Sequence, residues 1–280
     1  MRTLLDIADI ADKDGAAESM DMRAARISNT IARLRNATVH LLDVKMMIGS
    51  GYDEPKPYEI RDGIAIVDVS GPLMADSWWY QDYGDVLDAV RTAGEDSSVT
   101  GILLRINSPG GETDAAFETA LKIVTASKQK PVWSVAGTSA FSAGYLLASS
   151  GSRVYVQPYS GGVGSIGVYS LHMDYSGMLE QAGIKATFVS AGEGKTDGHP
   201  YKPLSAAAKQ RMQATIDRLY GLFVDHVAMQ RGIPAGAVRE LGAEIFPGAS
   251  AIDVGLADKI GDKDSVLEEM RAFLDARIAA

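Results

Sequence analysis

An apolar run that ends in a glycine turn, Ile102-Leu-Leu-Arg-Ile-Asn-Ser-Pro-Gly-Gly111, sets the pattern for most of this chain. Its first six residues are typical of a buried strand, and a helical pattern begins a few residues after the glycines. The same pattern predicts further strands at 63–69, 132–136, 153–157 and 185–190, and helices near 84–94, 114–128 and 141–150. Strands that alternate with helices indicate an α/β fold with largely parallel strands.

The first part of the chain differs from this pattern. Residues 1–57 are predicted to form an N-terminal helical extension and linker, with an amphipathic helix from Ala16 to Asn36 and a linker-like run from Gly49 to Pro57. Residues 58–280 are predicted to form the main domain, and two more helices are expected in it, over 204–231 and about 264–278.

The composition excludes several classes of function. The chain has 280 residues, 46% of them hydrophobic, and a formal net charge of -9, so a nucleic acid partner is not expected. It has no cysteine, which excludes disulfides, thiolate metal sites and a cysteine nucleophile. We see neither the basic start and apolar core of a secretory signal nor an apolar run of about 18 residues. A cytoplasmic protein without a membrane anchor is therefore expected.

Two turns contain candidate catalytic groups. The glycines before and at Gly111 either form an ordinary turn or expose amides that stabilise a negatively charged oxygen. Ser142 follows the strand at 132–136 and opens a helix of small residues, where a serine is either a helix cap or a nucleophile.

A nucleophilic serine needs a base to accept its proton. The chain has four histidines, and His199 is the one beside the candidate site, so it stays an alternative base. A lysine can take this role when apolar surroundings favour its neutral form.

Four motifs in this order resemble the signal peptide peptidase A family of Ser-Lys peptidases, which shares the Clp protease/crotonase fold. They are Ser108-Pro-Gly-Gly111, Ala140-Phe-Ser-Ala-Gly-Tyr145, Gly164-Ser-Ile-Gly-Val168 and a lysine after Ala191-Gly192. The resemblance covers roughly residues 60–262, and it implies a ββα spiral of the Clp protease/crotonase type.

The resemblance also implies a role for individual residues. The nucleophile would be Ser142, the general base Lys195, and the serine that holds the lysine amine Ser165. The oxyanion hole would be formed by the amides of Gly111 and Ala143. No metal and no cofactor is required by this chemistry.

The motif around Lys195 departs from the family. Many members have an aromatic or basic residue just before the lysine, whereas this chain has Glu193-Gly194. We therefore expect a mobile loop and a lysine whose protonation responds to Glu193. Lys202 is the rival lysine, and it is expected to face solvent.

The function implied by the resemblance is that of a serine endopeptidase which cleaves a peptide or protein through an acyl-enzyme. A homo-oligomer in the form of a ring or dome is expected. The short extension before one peptidase domain resembles the capsid-assembly proteases of tailed phages, so phage scaffold or capsid proteins are expected partners and the procapsid a second location. Three alternatives stay open: a cytoplasmic peptidase that degrades signal peptides, a crotonase-like acyl-CoA enzyme, and an inactive head-assembly component.

Overall fold

A computed structural model of the chain describes residues 56–77 and 79–279. The helix predicted at 16–36 and nearly all of the predicted extension lie outside these residues. The domain boundary predicted at residue 57 stays a prediction.

The strands follow the order expected for an α/β domain. Within the described residues they are β1 (Glu59–Arg61), β2 (Ile64–Ser70), β3 (Leu73–Met74), β4 (Gln81–Asp82), β5 (Gly101–Ser108), β6 (Val132–Phe141), β7 (Arg153–Val156), β8 (Gly162–Gly164), β9 (Ile245–Pro247) and β10 (Lys259–Ile260).

Most of the helices lie between these strands or after them. In the same part of the chain they are α1 (Tyr83–Glu95), α2 (Ala116–Ser127), α3 (Ala143–Ser149), α4 (Ser176–Gln181), α5 (Ala206–Arg231), α6 (Ala235–Glu240), α7 (Ser250–Asp253) and α8 (Lys263–Ile278).

The main sheet has the strand order β1-β2-β5-β6-β7-β10, and β8 and β9 extend it beyond the end of β6. The pairs β2–β5, β5–β6, β6–β7 and β6–β8 are parallel, while β1 and β9 run antiparallel to their neighbours. Parallel strands place their carboxyl ends on one edge, which is where catalytic groups of α/β folds usually lie.

Both faces of the sheet are covered by helices, as parallel sheets require. On one face Ala65, Val67 and Val69 of β2 pack in the larger hydrophobic core with residues of α1, α2, α3 and α5. On the other face Ile64 and Ile66 pack with Trp133 and with one side of α8. The alternation along β2 therefore assigns neighbouring residues to two separate cores.

These observations confirm the predicted α/β fold with largely parallel strands. The strand predicted at 185–190 is wrong, because this segment pairs with no strand among the described residues and its side chains are exposed. A β-branched composition favours extended backbone, but a strand also needs a partner. No helix of the described residues combines the length and apolar character needed to cross a membrane.

Candidate active site

Ser142 lies in a sharp turn between β6 and α3. Its backbone has φ 50° and ψ -123°, a conformation that residues with a side chain rarely adopt. The Ser142 N–H donates to the carbonyl oxygen of Gly164 at 2.9 Å, which fixes the turn to β8. A strained serine between a strand and a helix presents its hydroxyl at the sheet edge, as nucleophilic serines do in other α/β folds.

The glycine turn after β5 packs directly against this serine. A Cβ atom placed on Gly110 would lie 2.7 Å from the Ser142 Cβ and 3.2 Å from the Ala143 nitrogen, and Gly110 has φ 107°. Only glycine fits this position.

The amide of Gly111 is free to bind a negatively charged oxygen. Leu73 of β3 donates to the Gly110 carbonyl at 2.9 Å and accepts from the Glu112 N–H at 2.9 Å. In such a parallel bridge the Gly111 N–H points away from β3. It finds no acceptor among the described residues, and neither does the N–H of Ala143, the first residue of α3. These are the two amides to which the resemblance gives an oxyanion role.

The hydroxyl of Ser108 shapes the same turn. Ser108 is fully buried, and its Oγ accepts the N–H of Gly110 at 3.1 Å. Gly144 of α3 lies against Ser108, since an added Cβ would be 3.0 Å from the Ser108 carbonyl oxygen. The turn and the start of α3 are therefore packed as one unit.

Ser165 lies beside Ser142 because of the strand register. Phe141 of β6 pairs with Gly164 of β8, and each strand is followed by one of the two serines. Ser165 has φ 53°, and its N–H donates to the Glu244 carbonyl at 2.8 Å. Since adjacent strands lie about 4.8 Å apart, the two serines are neighbours at the sheet edge.

Both serines open into one cavity of about 830 Å³, which Gly111 also lines. The charged residues that line it are Glu112 and Asp114. A small apolar cavity of about 20 Å³ adjoins it, and Ser142 lines both. Its apolar walls are the side chains of Ala116, Phe117, Leu146, Val168 and Phe223.

Lys195 is not brought to this cavity. Its side chain is exposed, and the side-chain amine makes no hydrogen bond or ion pair with the described residues. It lies in the segment from Val168 to Leu204, which has one short helix and a largely exposed surface. Tyr169 is 88% exposed and Val189 is 97% exposed in this segment, so these apolar side chains pack against little within residues 56–77 and 79–279.

The turn around Lys195 is nevertheless held by many local contacts. Backbone bonds join Lys195 N to Gly192 O at 3.2 Å and Asp197 N to Gly194 O at 3.1 Å. Lys202 donates to the Thr196 hydroxyl. These contacts define the Lys195 turn, residues 192–202.

The side chain of His199, the alternative base, makes its contacts in and next to the same turn. Its ring lies edge-on to Phe188 at 4.6 Å and to Tyr201 at 5.1 Å, and its Nδ1 accepts the Tyr201 N–H at 3.2 Å. His199 does not line the cavity around Ser142. A role in packing the turn accounts for these contacts.

Sequence reasoning missed three contributors to the site. Gly110 and Gly164 are required by close approach, since an added Cβ on Gly164 would lie 2.5 Å from the Glu244 carbonyl oxygen. Glycine-rich turns at strand ends carried a signal for both. No sequence signal indicated Arg211 of α5, which binds the Lys195 turn. Its contacts with Glu193 and Asp197 form only because the fold brings α5 to this turn.

Comparison with known proteins agrees with this geometry. The sequence profile described as "Peptidase family S49" matches residues 125–277. The chain is 35% identical over 85% of its length to "Head-tail preconnector protein GP5" of Enterobacteria phage P21, covering 48% of that protein. It is 34% identical over 81% of its length to "Capsid assembly protease C" of Escherichia phage lambda, covering 53% of it.

A cellular relative is also found. The chain is 29% identical over 66% of its length to "Putative signal peptide peptidase SppA" of Enterococcus faecium, covering 54% of that protein. The chain thus spans about half the length of these curated relatives.

The fold and the arrangement around Ser142 define an α/β protein of the Clp protease/crotonase type, with a serine at the sheet edge. The chain belongs to peptidase family S49. The resemblance to the signal peptide peptidase A family and its phage capsid-assembly branch is thereby confirmed.

Proposed function

We propose that this chain is a serine endopeptidase in which Ser142 is the nucleophile and Lys195 the general base. The observation that carries the proposal is the strained Ser142 turn, packed on Gly110 and flanked by the free amides of Gly111 and Ala143. Strain of this kind persists where surrounding contacts impose it, and it is typical of active sites. Membership in a peptidase family supports the same chemistry.

The proposed cycle is acyl transfer. The neutral Lys195 amine takes the Ser142 proton as the Oγ attacks the peptide carbonyl carbon, and the Gly111 and Ala143 amides donate to the oxyanion. The lysine ammonium then protonates the leaving nitrogen as the C–N bond breaks. Water, deprotonated by the same lysine, hydrolyses the ester. Ser165 would hold the lysine amine toward Ser142.

Lys195 must reach the cavity for this cycle to run. We propose that the segment 168–204 closes on Ser142 when copies of the chain assemble into a ring or dome. The exposed apolar side chains of this segment support the idea, because an apolar surface of this kind is typical of an interface. Mass photometry of the full chain, with activity measured across dilution, tests it: activity that falls as the oligomer dissociates is expected.

The substrate is proposed to be a protein segment with a small or apolar residue before the scissile bond. The apolar cavity beside Ser142, with Phe117, Leu146 and Phe223 in its walls, supports this preference. The phage relatives support scaffold or capsid proteins as the natural substrates and the procapsid as the place of action. The cellular relative supports signal-peptide fragments as the second candidate.

Active-site substitutions test the proposal. With a fluorogenic peptide library, Ser142→Ala and Lys195→Ala are expected to abolish cleavage while the circular dichroism spectrum is retained. Lys185→Ala is the matched control, because Lys185 is exposed in the same segment and has no partner among the described residues. Full activity in Lys195→Ala would exclude Lys195 as the base.

The remaining alternatives give different results. A crotonase-like enzyme would turn over an acyl-CoA and would retain this activity in Lys195→Ala. An inactive head-assembly component would cleave nothing, and Ser142→Ala would leave head assembly unchanged. Covalent labelling of Ser142 by a fluorophosphonate argues against both, since the reagent needs an activated serine.

A further inference from the structure

Arg211 binds the two carboxylates that flank Lys195. Its Nε and Nη2 donate to the two carboxylate oxygens of Asp197 at 2.6 and 3.2 Å, and its Nη1 donates to Glu193 at 3.3 Å. Glu193 lies two residues before Lys195 and Asp197 two residues after it. One guanidinium on α5 therefore binds the two carboxylates that lie on either side of the lysine in sequence.

The Asp197 contact is the stronger of the two. It is a two-pronged pair, and the Asp197 side chain is 19% exposed while that of Glu193 is 87% exposed. Bidentate arginine–carboxylate pairs fix geometry better than a single contact does. The hydrogen bond from Arg211 holds the pKa of Asp197 below its usual range, so this carboxylate stays charged beside Lys195.

Other charged and titratable groups also surround the turn. Met212 of α5 lies against Gly198, and His172 contacts the Gly198 carbonyl through its Nδ1 at 3.2 Å. The charged or titratable side chains on the turn and on the elements packed against it are Glu193, Asp197, His199, Tyr201, Lys202, His172, Lys209 and Arg211. Within this set, Arg211 contacts both carboxylates that flank the lysine.

We propose that Arg211 is a positioning residue for Lys195: it fixes the turn that presents the lysine and balances the two negative charges beside it. This inference rests on the proposed function of Lys195. It explains how a base can operate with Glu193 two residues before it and Asp197 two residues after it. Nearby carboxylates favour a protonated amine, and a neighbouring guanidinium opposes that effect.

The test is the pH dependence of Arg211→Gln. Without the guanidinium, Glu193 and Asp197 favour the ammonium form of the lysine, so the neutral base forms only at higher pH. We expect the acid limb of the kcat/KM profile to move up by about one pH unit, which lowers kcat/KM about tenfold on that limb. The probe is a coumarin-amide peptide with alanine before the scissile bond, cleaved by the full chain.

Two further variants separate charge from structure. Arg218→Gln is the matched control, because Arg218 is an exposed arginine two turns along α5 with no partner among the described residues. It should leave the profile unchanged. Adding Glu193→Gln and Asp197→Asn to Arg211→Gln should return the acid limb toward its original pH. A purely structural role for Arg211 would lower activity at every pH without moving the limb, and this result would overturn the proposal.

A second measurement does not depend on activity. Labelling of Lys195 by acetic anhydride, followed by mass spectrometry across pH, reports when its amine is neutral. In Arg211→Gln we expect labelling to move to higher pH, with no change in Arg218→Gln. If Lys195→Ala is fully active and the labelling still moves, the proposed function fails and with it the catalytic part of the inference, while the effect of Arg211 on the Lys195 amine stands. If the labelling does not move, the inference fails whatever the activity shows.

Discussion

Ser142 lies at the end of a strand with neighbours on both sides, whereas Lys195 lies in a segment that pairs with no strand in the part of the chain that the structure describes. The first region is fixed by backbone: strand register, three close glycine contacts and a bond from Ser142 N to Gly164 O. The second is fixed by side chains, chiefly Arg211 and the ring contacts of His199.

The difference shows which half of the site is ready before substrate or assembly. Backbone contacts in a buried sheet cannot be broken locally without exposing unpaired polar groups, so the proposed nucleophile and the amides proposed as oxyanion donors are preformed. The Lys195 turn has no such backbone pairing among the described residues. Its exposed ion pair between Arg211 and Glu193 contributes about 0–1 kcal/mol, so the bidentate Arg211–Asp197 pair is its main side-chain anchor. Four predictions follow from this contrast, in order of decreasing effect.

Gly110→Ala should damage the preformed half most severely. The added methyl group would lie 2.7 Å from the Ser142 Cβ at a φ of 107°, so the turn must move away from the nucleophile. Loss of one oxyanion donor costs about a hundred- to thousandfold in kcat, and a fall of this order is expected. Gly94→Ala in α1 meets nothing within 4 Å and serves as the control. Equal activity in both variants would contradict a preformed site.

Ser165→Ala tests the group proposed to join the two regions. Losing one hydrogen bond to the lysine amine costs about 1 kcal/mol, so kcat should fall roughly fivefold while KM changes little. The control is Ser160→Ala, an exposed serine that bonds Gln157 just before β8. Steady-state kinetics with the same peptide measures kcat and KM separately. An effect on KM alone would assign Ser165 to substrate binding.

Lys202→Met tests whether the Lys195 turn contains a second base. The Lys202 ammonium donates to Thr196 within the turn and lies 5.5 Å from the ring of Phe188, which precedes the turn. Its loss should therefore lower kcat/KM only a few-fold, since each such contact is worth about 1 kcal/mol. Complete loss of activity, with Lys195→Ala still active, would exchange the roles of the two lysines.

The smallest effect on activity is expected from His226, which influences the folding stability of the chain and not the rate of cleavage. Burial lowers the pKa of His226 to about 4 from 6.5, and its Nε2 lies 2.9 Å from the Ser150 hydroxyl, just past the end of α3. The unfolded chain takes up this proton below pH 6.5 and the folded chain only near pH 4. Stability should therefore fall on acidification through this window, by at most about 1.4 kcal/mol per pH unit.

Urea unfolding at several pH values checks this prediction. His226→Gln should be less stable at neutral pH, because a buried polar contact is disturbed, and should lack this part of the acid slope. An unchanged slope in the variant would assign the acid sensitivity to other groups. Since α3 follows Ser142 directly, loss of fluorophosphonate labelling should track the same transition.

Much of the nucleophile region could be predicted from sequence because its signals are local. The run ending at Gly111 and the small residues after Ser142 each carry their own turn and strand pattern, and β6 and β8 bring their ends together through register. The strand predicted at 185–190 failed for the opposite reason. Its composition suits extended backbone, but a pairing partner is a property of the fold and not of the segment.

The sequence by itself determined the alternating α/β pattern, the family motifs and the choice of Ser142, Ser165 and Gly111 as candidate groups. Only the tertiary structure decided that Gly110 must lie against Ser142, that Lys195 stands on an exposed turn outside the cavity, and that Arg211 binds both carboxylates beside it. The physical reason is the distance along the sequence over which each interaction acts. Turn and strand preferences act between neighbours in sequence, whereas close packing and ion pairs depend on which distant residues the fold brings together.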